Sequence, residues 1–368
     1  MDVAALRAQF PVLERVAYLN TGSVGPLARA AVEAAEADLQ LQLEAGRGGR
    51  AHFEHAHALA ERLRVRIARV LGCDAWEVAL TGATTDGVNA VLAGLDLQPG
   101  DEIVTSDEEH PGLLAPLALA RERDGVELRV VPFDAIADAV SAQTRLVACS
   151  HVSWISGRIV DVEALAAAPA PVLLDGAQGL GALPVDVRAL GCEYYAASGQ
   201  KWLCGPVGSG YLYVRENAID GLRPAWPGYG TLSDTLRPLD LPLLDGAARF
   251  DTGFAPSQRS SWSLAALDVL EDAGLDALQR RAAALAADLA AKLMAAGLVV
   301  APGRETNPAA STLVSWETVD PAAEASGLLA AGMLVRDLPG TPYVRASVGG
   351  WTGDDEIERL VAAATSRS

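Results

Sequence analysis

Between residues 76 and 215 the chain alternates short apolar runs with stretches of helical periodicity. The runs fall at 77–80, 102–105, 127–131, 146–150, 172–174, 194–197 and 210–214, each of strand length. Amphipathic stretches at 84–95 and 110–123 lie between several of them. This alternation predicts an α/β fold, with a mostly parallel sheet and helices on both faces. Sheets of this kind bind ligands where loops converge at the carboxyl ends of their strands.

Helical patterns precede this region at 27–44 and 53–71. After it, 224–244 is rich in Pro, Gly and Leu and predicts an irregular excursion over the surface. A long helical run at 263–296 carries a break near Gly274. The tail reads strand 312–316, helix 321–331, strands 334–337 and 343–348, and helix 353–365. A chain of 368 residues exceeds the usual size of one core. The expected division is a large α/β domain at 20–264 and a smaller α+β domain built from 1–19 with 265–368.

Composition narrows the partners. The formal net charge of −18 disfavours a nucleic-acid backbone as ligand. Cys73, Cys149, Cys192 and Cys204 show no metal-ligand spacing, so reduced thiols in a cytoplasmic protein are expected. No basic segment followed by an apolar one opens the chain, and charges or prolines interrupt every long apolar stretch. Neither a secretory signal nor a membrane partner is expected.

Of 29 basic residues only Lys201 and Lys292 are lysines. A lysine amine can lose its proton and form a Schiff base, which a guanidinium cannot. Lys292 reads as a solvated position on an Ala/Leu helix. Lys201 lies in Ser198-Gly199-Gln200-Lys201-Trp202-Leu203-Cys204-Gly205-Pro206-Val207-Gly208-Ser209-Gly210.

Three other segments fall at predicted strand ends. Thr81-Gly82-Ala83-Thr84-Thr85-Asp86-Gly87 could bind a phosphate at a helix start, although Thr84 is equally an ordinary helix cap. Asp175, in Val172-Leu173-Leu174-Asp175-Gly176-Ala177-Gln178, could face a metal, a ribose hydroxyl or a protonated ring nitrogen. His110, in Asp107-Glu108-Glu109-His110-Pro111, could be a base, a ligand or a flat stacking surface. Taken together, these residues meet the needs of pyridoxal phosphate: an amine for its aldehyde, a cradle for its phosphate, a carboxylate for its ring nitrogen and a flat group over its face. His52, His55 and His57 share a helix, but no acidic partner at metal-binding spacing accompanies them. The Ser198-x-x-Lys201 spacing of acyl-serine enzymes lacks its companion Lys-Thr-Gly.

The run from Asp175 to Gln178, followed by Ser198 to Gly210, resembles the class V aminotransferases of fold type I. That group includes cysteine desulfurases, isopenicillin N epimerase-like proteins and ergothioneine-pathway C–S lyases. The likeness extends from Tyr18-Leu19-Asn20-Thr21-Gly22 to Tyr343-Val344-Arg345-Ala346-Ser347. It implies a Schiff base on Lys201, with Asp175 on the pyridine nitrogen, Gln178 on the ring hydroxyl and His110 stacked on the ring. It assigns the phosphate to Thr84, Thr85 and Ser198, and the substrate carboxylate to Arg345, with Asn20 also on the substrate side. A homodimer with shared active sites is likewise implied.

Departures from the family pattern bear on the reaction. Gln200 stands where Ser-x-His-Lys has histidine, which changes one phosphate or ring contact. Trp154, in His151-Val152-Ser153-Trp154, replaces a frequent asparagine and either reshapes the substrate side or fills core. Arg249-Phe250-Asp251-Thr252-Gly253 leaves Thr252 as the candidate for a cross-subunit phosphate ligand. The segment 335–343 lacks the persulfide-forming cysteine of desulfurases. The expectation is a pyridoxal-phosphate enzyme acting on a small amino acid, an aminotransferase first and a β-eliminating C–S lyase second. A catalytically inert binding protein of the same fold is the alternative from another class.

Overall fold

In the central sheet, successive residues of one strand enter opposite cores. Leu146 and Ala148 join one apolar cluster, while Val147 and Cys149 join the other. Tyr194 and Ala196 part from Tyr195 and Ala197 in the same way. This is the two-residue period of a strand covered on both faces, and it explains why these runs are continuously apolar. The structure, a computed structural model, describes residues 2–253, 256–303 and 311–366.

The described strands are β1 (Ala17–Tyr18), β2 (Val78–Thr81), β3 (Glu102–Ser106), β4 (Glu127–Val131), β5 (Thr144–Ser150), β6 (Val172–Asp175), β7 (Tyr194–Ser198), β8 (Gly210–Val214), β9 (Leu313–Glu317), β10 (Met333–Leu334), β11 (Arg336–Asp337) and β12 (Tyr343–Ser347). Seven form the large sheet in the order β2-β8-β7-β6-β5-β3-β4. Only β8 runs against its neighbours. The helices Thr84–Gly94 and Pro111–Asp124 cover one face, through Val88, Val91, Leu113 and Leu117. The helices Arg50–Leu71 and Ser257–Asp272 cover the other, through Leu63, Ile67, Leu264 and Leu267.

The register brings the strand ends into one row. Thr81 faces Gly210, Gly210 faces Ser198, and Ser150 faces Asp175. The segments that carry Thr84, Asp175 and Ser198 therefore open at the same edge.

A second sheet, β11-β12-β9, is antiparallel, and its register sets Arg336 opposite Arg345. The predicted single strand at 334–337 is divided here: β10 pairs with β1, and β11 pairs with β12. The predicted helix 263–296 is two helices, Ser257–Asp272 and Leu275–Ala295, separated at Gly274 with φ +85°. That left-handed angle favours glycine and ends the first helix. An isolated bridge between Asn20 and Ser347 carries the N-terminal segment toward the large sheet's open edge. Among the described residues no helix is long and apolar enough to cross a membrane.

Candidate functional site

Lys201 follows β7 in a tight turn. Cys204 N–H donates to the Lys201 carbonyl, and Gly205 N–H donates to that of Gly199. Cys204 takes φ +53°, a left-handed angle uncommon for a side-chain-bearing residue. From the N-terminal segment, Gly25 N–H donates to the Gln200 carbonyl. A Cβ at Gly25 would lie 2.1 Å from the Lys201 carbonyl oxygen, so only glycine permits this approach.

Lys201 is half-buried, and its pKa falls from 10.5 to about 8. Burial is the largest cause, and the positive charges of Arg345 and Arg336 add to it. Asp175 acts in the opposite direction. Asp175 ends β6, with Oδ1 accepting from Ala177 N–H at 2.9 Å. Burial raises its own pKa, and Lys201 counters that.

His110 caps the helix Pro111–Asp124, its Nδ1 accepting from Gly112 N–H at 2.9 Å. Burial pulls its pKa down to about 4, and Lys201, Arg336 and Arg345 contribute. The ring is therefore neutral at pH 7 with its proton on Nε2. Trp154 meets it edge-on, with centroids 5.0 Å apart and an interplanar angle of 82°. Behind His110, the buried Glu109 accepts from Ser106 and Ser150 and so ties β3 to β5. Burial lifts its pKa to about 7.

Arg345 is fully buried on β12. Nη1 donates to the Trp154 carbonyl at 2.7 Å, while Nε and Nη2 have no partner among the described residues. Gln178 joins the two halves of the site: Nε2 donates to the Gly22 carbonyl, and Oε1 accepts from Trp202 Nε1. A Cβ at Gly22 would meet Ser347 Oγ, Gln178 Oε1 and Arg345 Nη2. Asn20 Oδ1 accepts from Ser23 Oγ, which in turn accepts from Arg336 Nη1.

The Thr84 and Ser198 hydroxyls are buried and unpaired, as is Gln200 Oε1. Orphaned hydroxyls are costly; Thr84 opens the helix Thr84–Gly94, where an anion is favoured, and Ser198 ends β7. Thr85 Oγ1 instead donates to the Gly112 carbonyl and anchors the neighbouring helix. The residues present thus fit pyridoxal phosphate: Lys201 for the aldehyde, Asp175 for the ring nitrogen and the Thr84–Ser198 edge for phosphate. Thr252 stands apart, exposed, with its N–H on the Leu80 carbonyl. His55 is held by Asp38 at 2.6 Å, and among the described residues no cluster of three or more His, Cys, Asp or Glu could hold a metal.

Sequence reasoning missed Arg336, Ser23 and Trp202. Arg336 lies in the segment 335–343, whose sequence signal is its lack of cysteine. Its placement opposite Arg345 comes from strand register, which residue spacing alone does not reveal.

A family model described as Aminotransferase class-V matches residues 18–348. A cysteine desulfurase of Enterobacter sp. (strain 638) is 32% identical over 323 residues, 77% of this chain and 75% of that protein. The solved complex of the cystine C–S lyase C-DES with its product cysteine persulfide has a TM-score of 0.92 at 28% identity, covering 98% of this chain and 100% of that one. The apo cysteine desulfurase of Thermococcus onnurineus NA1 has a TM-score of 0.86 at 26% identity, covering 98% and 96%.

Proposed function

Because the chain belongs to the class V aminotransferase family of pyridoxal-phosphate enzymes, we propose that it is a C–S lyase that eliminates sulfur from S-substituted cysteine. The sequence alone favoured amino transfer and put C–S lysis second. The likeness to C-DES supports the second reading.

One observation carries it: none of the chain's four cysteines can serve the site as a thiolate. Cys149, Cys192 and Cys204 are buried, and burial pushes each thiol upward. Cys73 is raised to about 12, mainly by burial and further by Glu77. A persulfide relay through the enzyme therefore lacks its nucleophile. Sulfur must leave on the substrate's own fragment.

When bound, the cofactor supplies a carbon that bonds amines reversibly and a ring that accepts the electron pair from Cα. The Lys201 amine, with a pKa near 8, takes the Cα proton at Nζ. The Asp175 carboxylate would face the ring nitrogen and keep it protonated. The Cβ–S bond then breaks, its electron pair leaves on sulfur, and a Cα–Cβ double bond forms. Arg345 offers Nε and Nη2 to the substrate α-carboxylate. Arg336 provides a second cation, suited to the distal carboxylate of a disulfide-linked amino acid. His110 and Trp154 wall the pocket with uncharged rings.

The protein acts as a homodimer in this reading. Exposed Leu39, Leu43 and Phe53 on the N-terminal helices support that, as does Thr252, which is free to reach a neighbouring phosphate. The test is product analysis of the loaded enzyme with cystine. Pyruvate, ammonia and cysteine persulfide are expected. A keto-acid-dependent reaction that releases no ammonia would overturn the assignment.

A further inference from the structure

A phosphate group brings negative charge, yet the side chains predicted to hold it, Thr84, Thr85, Ser198 and Gln200, are all neutral. The only charged side chain in the first turn of the helix Thr84–Gly94 is Asp86, whose Oδ2 accepts from Gly82 N–H at 2.9 Å. The cradle is short of a cation.

Arg259 reaches that edge from the helix Ser257–Asp272. Its Nη1 donates to the Gly208 carbonyl at 2.5 Å. The same carbonyl oxygen lies 3.9 Å from the point where a Cβ on Gly82 would sit. Two residues on, Gly210 packs so closely on the phosphate loop that a Cβ there would lie 2.5 Å from Ala83 N, and it also pairs with Ser198. Arg259 makes no ion pair with a described carboxylate; Asp251 and Asp86 act on it only at longer range. Burial lowers its pKa, as expected of a cation without a close counter-ion. Beside it, the buried Ser260 hydroxyl, 1% exposed, has no partner among the described residues.

We propose that Arg259 is a phosphate-binding residue of this enzyme, supplying the positive charge that the neutral cradle lacks, with the Ser260 hydroxyl beside it. Arg259 thereby takes over charge compensation that Gln200, standing at the histidine of the family pattern, does not provide. The assignment rests on the cofactor reading above.

The experiment compares pyridoxal phosphate with pyridoxal, which has the same aldehyde and ring but no phosphate. Equilibrium dissociation constants are measured by absorbance for the wild type, Arg259→Met and Arg259→Lys. A contact to phosphate predicts that Arg259→Met weakens pyridoxal phosphate at least about tenfold and leaves pyridoxal unchanged. Arg259→Lys should recover part of the loss, because a point charge still attracts phosphate. Equal weakening of both compounds, or of neither, overturns the proposal while the cofactor reading stands. A wild type that binds neither compound overturns both. Matching far-ultraviolet circular dichroism of the three apo proteins shows that they are folded alike.

Discussion

Arg345 is a buried cation with no counter-ion among the described residues, and that makes its removal informative. Burial, with Arg336 adding to it, depresses the guanidinium pKa from 12.5 to about 9. Each tenfold change in an ionisation constant corresponds to about 1.36 kcal/mol, so (12.5 − 9) × 1.36 gives an upper limit of about 5 kcal/mol. A cation whose folded pKa is lowered opposes folding in full below pH 9, and the penalty fades only as pH rises toward 12.5. Arg345→Met removes the penalty but leaves the Trp154 carbonyl unpaired, at a cost of about 1–3 kcal/mol. The net expectation for the apo protein at pH 7 is a gain of at most about 2–4 kcal/mol. The same variant loses the charge-assisted bonds to the substrate carboxylate, and kcat/KM falls by roughly 10- to 100-fold. Thermal unfolding of the apo proteins and steady-state kinetics of the loaded ones measure the two effects. An apo variant that unfolds about 5 °C or more below wild type would refute the reasoning, since Arg345 would then be structural. An unchanged kcat/KM would remove it from the substrate site.

Two further predictions concern other parts of the chain. Cofactor uptake by the apo protein should quicken about tenfold per pH unit below 8 and level off above it, because only the neutral Lys201 amine attacks the aldehyde. Asp175→Asn removes the anion that favours the ammonium and should move that midpoint lower; a rate constant flat from pH 6 to 8 contradicts this. Arg64 donates to Asp251 at 2.8 Å and to the Val78 carbonyl at 2.7 Å, fixing the turn that leads to Thr252. Arg64→Met strands the Asp251 carboxylate and should cost about 3–5 kcal/mol in denaturant unfolding, and a loss under about 1 kcal/mol would show that the pair matters little.

Much of the fold was legible because local rules agree with the global one. Short apolar runs mark the seven strands of the large sheet within a residue or two at their ends, most weakly at the exposed β4. Gly274 marked the helix break because only glycine takes its backbone angle cheaply. The division of 334–337 between two sheets was not legible, since four residues carry too little periodicity to show a change of partner.

The sequence by itself determined which residues are the candidates for the reactive core of the proposed site. Lys201, Asp175 and His110 each stand in or just after a short strand-to-loop segment, where residue type and neighbours state the chemistry. Scarcity of lysine singled out Lys201, and an apolar strand delivered Asp175 to the sheet edge. Tertiary structure alone decided what those groups meet. It placed Arg345 on the carbonyl of Trp154, 191 residues away, and Arg336 beside Arg345 across a strand pair. It also brought Gly25 onto the backbone of Lys201 and Arg259 onto the Gly208 carbonyl. The reason is physical. A side chain's chemical identity is local, whereas its charge state and partners depend on how much water packing removes and which distant segments replace it.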